Sequence, residues 1–403
     1  MKKSGLMLSL LGLIMVGCSA NAALELPEQT ETAVTASEPS PTEGLLALAR
    51  APKKASGPST AKVRPDGTLM VSGQAMFPMG FYHVSWAGNA ERRMRDMNAI
   101  ADLGFNTMNA TMFDPEEDLA SYRHLMDAAQ ARGMKLMVED YNDTSVRALK
   151  DHPALLGWMV ADDCNNLVAP AELQRRSENV KRLDADHLTY TSMAISFANS
   201  HTEYFGRADA VGNQSYPVGG GDTVNVVYPV MTRLVKEAQA RGTMPIANLQ
   251  SFRWEDGRYP TPAELNSMTN QAIAAGVKGI LYYTYLDRTN DLARYPGLHS
   301  ELRELASEVK LLAPVLTEGE RSELPVTASN QQATAHLWTY GGRRYLQVLS
   351  LDERAGQTVR VQLPGKVGQL RPLFAGRPSG LKLQGSAATG TLPALSAHWY
   401  EVR

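Results

Sequence analysis

Four carboxylates stand in two adjacent pairs, Glu139-Asp140 and Asp162-Asp163, each directly after a short apolar run. Carboxyls held close together raise one another's pKa, so one can keep a proton while its neighbour stays charged. General acid–base hydrolysis needs that division of roles. Other polar and aromatic residues stand in the same relation to apolar runs. His83 and Trp86 follow one, Asn109 ends another, and Asn213 and Tyr216 close a third. Gln250 and Trp254 follow a fourth, and Tyr283 and Tyr285 a fifth. Aromatic rings stack on the C–H faces of a sugar, while amides and carboxylates bind its hydroxyls, so this set suits a carbohydrate. Cys164 has no accompanying His/Asn pattern and reads as an idle thiol. No H-E-x-x-H, C-x-x-C or EF-hand pattern implies a metal, and no G-x-G-x-x-G or G-K-[ST] implies a nucleotide cofactor. Lys+Arg 40 against Asp+Glu 42 gives a net charge of -2, which excludes a basic nucleic-acid-binding surface as the dominant feature.

The elements that must position these residues alternate. Apolar runs at 77–83, 106–111, 135–139, 157–161, 188–193, 210–214, 245–249 and 278–284 predict strands. Helical periods lie between them near 90–104, 117–133, 145–155, 170–184, 197–206, 225–242, 262–276 and 298–312. Gly104, Gly133, Gly242 and Gly276 stand where helices should end. Eight such units in about 250 residues match a (β/α)8 barrel, whose functional residues lie at the C-terminal strand ends. A hairpin is expected just before it, at 61–64 and 68–72 around Pro65-Asp66-Gly67. After Pro314 the pattern becomes alternating, at 333–340, 344–351, 358–363, 369–374 and 397–402. This predicts a small all-β, sandwich-like C-terminal domain. The expected domains are therefore a barrel over 61–316 and a β-sandwich over 317–403.

One stretch is more specific. His152-Pro153-Ala154-Leu155-Leu156-Gly157-Trp158-Met159-Val160-Ala161-Asp162-Asp163-Cys164-Asn165 resembles the segment HPALLGWYIADEPN of clan-A-like barrel glycoside hydrolases and their uncharacterised relatives. Gly80-Phe81-Tyr82, Gly104-Phe105-Asn106-Thr107, Ser215-Tyr216-Pro217, Leu249-Gln250-Ser251-Phe252 and Tyr282-Tyr283-Thr284-Tyr285 extend the resemblance over roughly 71–316. It implies hydrolysis of O-glycosidic bonds in a poly- or oligosaccharide, with the residue at 163 as general acid. Two departures stand out. Asp163 occupies the place of a Glu, shorter by one carbon–carbon bond of about 1.5 Å. Gln250 occupies the strand-seven position where retaining members carry a second Glu. The pairing that remains is Asp163 as acid with Glu139 or Asp140 as base, an inverting arrangement. His83, Trp86, Asn109, Asp162, Asn213, Tyr216, Gln250, Trp254, Tyr283 and Tyr285 are the candidate sugar contacts. The alternative, favoured by both departures, is a non-catalytic carbohydrate-binding pseudoenzyme or a scaffold in polysaccharide assembly or export.

The first residues form an address. Lys2 and Lys3 precede an apolar run from Leu6 to Val16, too short to span a bilayer stably. Met15-Val16-Gly17-Cys18 resembles a bacterial lipobox, implying a signal over 1–18 and lipidation of Cys18. Ser19, not Asp, follows it, which in enteric-type lipoproteins implies outer-membrane sorting. The expected location is the cell envelope of a Gram-negative bacterium, with the membrane as partner through the lipid anchor. Residues 19–60 are rich in Ala, Glu, Pro, Ser and Thr and read as a flexible linker, with a short helix near 44–50.

Overall fold

The computed structural model describes residues 40–48 and 57–403. The expected signal, Cys18 and most of the linker lie outside the described residues. The first described helix, α1 (Pro41–Leu48), buries Leu45 in the main apolar core. Three short strands follow, β1 (Ala61–Val63), β2 (Leu69–Val71) and β3 (Gln74–Met76), paired antiparallel. The sequence predicts the first two; the third closes the sheet onto them. Gly67 turns the chain at φ 82°, and the Asp66 carboxylate accepts from the Thr68 amide at 3.0 Å.

Eight parallel strands then close into a barrel: β4 (Met79–Val84), β5 (Thr107–Thr111), β6 (Lys135–Glu139), β7 (Leu155–Ala161), β8 (Leu188–Met193), β9 (Ala210–Ser215), β10 (Met244–Gln250) and β11 (Gly279–Tyr283). Alternation decides which side each residue takes. Tyr82, Met137, Leu156, Met159, Leu188, Tyr190, Ile246 and Leu281 share one core cluster with Ala61 and Leu69 of the preceding small sheet. Phe81, Met108, Leu136, Trp158, Val160 and Ile280 join a separate core with the helices. Gly80 permits the close approach of β4 to β5, since a Cβ there would lie 1.7 Å from the Thr107 carbonyl oxygen. At Gly212 a Cβ would strike the Tyr190 hydroxyl at 2.4 Å and the Asn248 amide at 2.6 Å. Those two side chains need that space to form the polar layer beneath the site.

The helices between strands are α2 (Ala90–Asp102), α3 (Leu119–Ala131), α4 (Asp143–Leu149), α5 (Cys164–Leu167), α6 (Pro170–Leu183), α7 (Val227–Gln239), α8 (Pro262–Ala275) and α9 (His299–Glu318). Two differ from expectation. The helix expected at 145–155 stops at Leu149, because Pro153 cannot continue it and the His152 ring accepts from the Ala154 amide at 3.1 Å. The helix expected at 197–206 is only a 3-10 turn, Thr202–Tyr204. There Ser196 and Asn199 close a local turn: Asn199 N donates to Ser196 Oγ at 3.1 Å and Ser196 N to the Asn199 carbonyl at 2.9 Å.

Beyond α9 the chain is all β. β12 (Glu320–Glu323), β14 (Ala333–Tyr340), β15 (Arg343–Ser350), β17 (Leu370–Pro372) and β20 (Ala397–Val402) form one sheet. β13 (Val326–Ala328), β16 (Gln357–Gln362), β18 (Leu381–Gln384) and β19 (Ala387–Leu392) form the second. Leu337, Leu346 and Val348 of the first meet Val359, Val361 and Leu392 of the second in one core. The outer face of the larger sheet meets the barrel. Trp338, Tyr345 and Trp399 belong to the helix-side core, and Asn270 of α8 accepts from Trp399 Nε1 at 2.9 Å and from Gln347 Nε2 at 3.0 Å. The described part of the chain, from Ser40 onward, is one compact unit.

Candidate active site

A cleft of about 350 Å³ opens at the C-terminal ends of the barrel strands. Tyr82, His83, Asp162, Asp163, Gln214, Tyr216 and Tyr283 line it from strands β4, β7, β9 and β11 and the turns that leave them. Phe252, Arg253, Trp254 and Glu255 come from the loop after β10, and Asp287, Thr289 and Asn290 from the loop after β11.

The two aspartates end β7 in different surroundings. Asp162 is mostly buried, and its Oδ1 has no hydrogen-bond partner among the described residues. Burial raises its pKa to about 6; His83 opposes the rise, while the Asp163 and Glu139 charges add to it. A carboxyl in that position holds its proton about two pH units further up than an ordinary aspartate and gives it up around pH 6. Asp163 has left-handed backbone, φ 43° and ψ 39°, at the start of α5, yet its side chain does not cap that helix. It accepts instead from Gln214 Nε2 at 2.5 Å. Gln214 Nε2 also donates to Ser192 Oγ at 3.1 Å, and Asn248 Nδ2 reaches the same oxygen at 2.8 Å. Tyr190 donates its hydroxyl proton to Asn248 Oδ1 at 3.0 Å. The carboxylate of Asp163 is thus the outer end of a polar chain rooted in the barrel interior.

A second unit sits across β4 and β6. His83 Nδ1 lies 2.6 Å from Glu139 Oε1, and Thr111 Oγ1 donates to Glu139 Oε2 at 3.4 Å. Burial opposes charging of the His83 ring, but the Glu139 carboxylate outweighs it and leaves the imidazole pKa raised. Glu139 is 7% exposed and does not line the cleft; His83 does, in front of it. Asp140 is exposed, at φ 58°, beyond the cleft wall.

Left-handed backbone at non-glycine residues gathers at these same strand ends: His83 at φ 55°, Ser85 at 61°, Asp140 at 58° and Asp163 at 43°. Each costs about 1 kcal/mol or more and persists only where the surroundings hold it, a pattern typical of functional sites. Aromatic rings complete the walls. Phe252 packs against Tyr216 at 5.1 Å, Trp254 at 4.9 Å and Tyr283 at 5.3 Å between centroids. The Tyr82 and Tyr216 hydroxyls are hydrogen-bonded to each other. Trp86 lies behind His83 at 5.3 Å, with the Arg288 guanidinium 5.1 Å from its ring centroid.

Of the residues expected at the site, His83, Asp162, Asp163, Tyr216, Trp254 and Tyr283 line one cleft. Asn109, Asn213, Gln250 and Tyr285 are fully buried and outside its lining. Asn109 Oδ1 accepts from the His83 amide at 2.8 Å, and Asn213 Oδ1 from the Ile195 amide at 2.5 Å. Gln250 clamps the β9–α7 loop: its Oε1 accepts from Val218 N at 2.7 Å, and its Nε2 donates to Val218 O at 2.8 Å and Phe252 O at 3.1 Å. Cys164 is fully buried, and burial pushes its thiol up to about 11, which keeps it unreactive. Tyr82, Gln214, Phe252, Arg253, Glu255, Asp287, Thr289 and Asn290 also line the cleft and are not among the candidate contacts, although Tyr82 and Phe252 stand in the stretches that carry the resemblance. Tyr82, Gln214 and Phe252 stand at or just after strand ends, a signal shared with the candidates; Thr289 and Asn290, farther along the loop after β11, carry no such signal. Among the described residues no group of three or more His, Cys, Asp or Glu is arranged to hold a metal ion.

No family model matches the sequence, and no curated relative does. Solved structures do. A protein described as a glycoside hydrolase superposes with a TM-score of 0.60 at 13% identity, over 85% of this chain and 96% of that one. A glycoside hydrolase family 5 protein from Bacteroides vulgatus gives 0.60 at 14% identity, over 85% and 93%. An Anoxybacillus α-amylase gives 0.53 at 13%, over 79% and 91%. At such identities the likeness establishes the fold alone: a closed parallel barrel of eight strands with an all-β module behind it.

Proposed function

We propose that the protein hydrolyses O-glycosidic bonds of a poly- or oligosaccharide in the cleft above β7, β9 and β11. The observation that carries this reading is the Asp162–Asp163 pair. One carboxyl is sunk in the wall and protonated up to about pH 6; the other is held outward by Gln214. Asp162 is then the proton donor to the leaving oxygen and Asp163 the carboxylate that activates water, roles that require roughly 6.5–9.5 Å between the two carboxyls with the sugar between them. This moves the acid role from Asp163, where the resemblance puts it, to its neighbour. Glu139 keeps His83 oriented toward the sugar instead of acting as base. Phe252, Trp254 and Tyr283 supply the stacking faces.

A second reading is carbohydrate binding without turnover. It is favoured by Gln250, an amide with both ends tied to backbone at the end of β10. Release of reducing ends from bacterial and plant polysaccharides by the full chain, beside Asp163→Asn, separates the two. Hydrolysis predicts release that falls about 10²-fold or more in the variant. Glycan binding with no release by either protein would leave the binding reading.

We infer further that Cys18 carries the lipid that holds the protein at the envelope membrane. The support is the order Lys2-Lys3, apolar Leu6 to Val16, and small Val16-Gly17 before the cysteine. Cys18→Ala should move the protein from the membrane pellet to the soluble fraction; an unchanged pellet would refute the anchor.

A further inference from the structure

A second cavity, of about 400 Å³, lies between the β9–α7 loop and the β-module. Phe197, Tyr228 and Leu351 form its apolar part, and Asp222, Gln331 and Gln332 its polar part. Phe197 is 59% exposed, and its backbone is held from α7: the Arg233 guanidinium donates to the carbonyls of Ser196 at 2.5 Å and Phe197 at 3.0 Å. The side chains of Asp222, Gln331 and Gln332 are exposed and make no hydrogen bond with another described residue. An open ring on a loop tied to α7 through Arg233, facing free amides and a carboxylate, repeats the chemistry of the cleft.

The two cavities share a loop. Tyr216 lines the cleft and Asp222 lines the second cavity. Five residues separate them, so their Cα atoms, six steps apart, are at most about 22 Å from each other. Between them Gly219 and Gly220 lie against Trp254, a cleft residue. The exposed large apolar side chains share this side of the barrel. Phe113, Leu167, Phe197, Trp254 and Tyr295 all stand in segments that leave the C-terminal ends of barrel strands. A polymer lying across that rim could meet both cavities.

We propose that the cavity at Phe197 is a second sugar-binding site, holding a more distant stretch of the same polysaccharide chain that enters the cleft. This rests on the reading of the cleft as a glycan site. The test is migration of the full chain through native gels cast with mannan, xylan, mixed-linkage β-glucan, starch or alginate. In the gel that slows the wild type, Phe197→Ala and Gln332→Ala should each weaken apparent affinity about three- to tenfold, as loss of one stacking or amide contact does. Trp254→Ala should weaken it independently, and the Phe197→Ala/Trp254→Ala double variant should run nearly unretarded. If Trp254→Ala is released while Phe197→Ala and Gln332→Ala migrate as wild type, the second site is refuted and Phe197 is left to a protein partner. A wild-type chain slowed by none of these glycans would instead overturn the sugar reading of the cleft itself, and the second site with it.

Discussion

On the proposed function, Asp162 ties the chemistry of the cleft to the stability of the fold. Its proton is held to about pH 6 in the folded chain, against about 4 for an ordinary aspartate. The folded state therefore binds the proton more tightly than the unfolded one. The stabilisation this gives is complete below about pH 4 and is lost as pH rises through about 6. Asp162→Asn should accordingly be the more stable protein at pH 8, by about 2 kcal/mol, and equal to wild type near pH 4. Thermal unfolding of the two proteins at both pH values checks this; a variant less stable at pH 8 would show that the ionised carboxylate has a partner. Ser59, His187 and Asp184 give the opposite lesson. His187 Nε2 lies 3.0 Å from Ser59 Oγ, and its Nδ1 2.9 Å from Asp184 Oδ2, which is the order of a nucleophilic triad. All three are buried at the N-terminal end of β8, and Ser59 Oγ donates to the Leu155 carbonyl at 2.7 Å. They fasten the chain below the barrel. Ser59→Ala should lower stability by about 1–2 kcal/mol, read by denaturant unfolding, and leave glycan turnover untouched. Residue types at strand ends revealed the cleft side chains His83, Asp162, Asp163, Tyr216, Trp254 and Tyr283. They did not separate these from Asn109, Asn213 and Gln250. That choice depends on which way a side chain turns at the strand end, and composition does not encode it.

The loops decide the shape of the site. Gln250 and Trp254 hold the β9–α7 loop from two sides, the first through Val218 and the second through Gly219 and Gly220. A Cβ on Gly220 would fall 2.8 Å from the Tyr216 carbonyl oxygen and 2.9 Å from Trp254 Nε1. The backbone oxygen cannot yield easily, so Gly220→Ala should displace Trp254 and raise KM several-fold with a smaller change in kcat. A variant with unchanged KM would mean that Trp254 does not touch the sugar. The barrel strands were legible because each is an apolar run entered from a helix end, often through a glycine, and left through polar residues. The loops were not. The stretch 197–206 has helical spacing, yet Ser196 and Asn199 compete for its backbone and Phe197 faces solvent.

At the scale of the molecule, the β-module is fused to the barrel. Asn270 binds both Trp399 and Gln347, and Arg321 of β12 donates to the Ala274 carbonyl at 2.8 Å. Trp338 and Trp399 share the helix-side core. The chain should therefore unfold in one calorimetric transition, and removal of residues 320–403 should leave a barrel that fails to fold. Two separated transitions would contradict this. The sequence showed the module through its long alternating strands, and missed β12, β13, β18 and β19. Three of these are only three or four residues long, and β12 is exposed throughout, without the alternation that marks a half-buried strand. On the proposed function, turnover in this cleft depends on Asp162 delivering a proton to a glycosidic oxygen. The most direct test is the pH dependence of reducing-end release from pH 4 to 8, wild type beside Asp162→Asn. With Asp162 as the acid, release falls about tenfold per pH unit above about 6 and is lost, by about 10²-fold or more, in the variant. Release that Asp162→Asn retains in full, with the same pH profile, would contradict it.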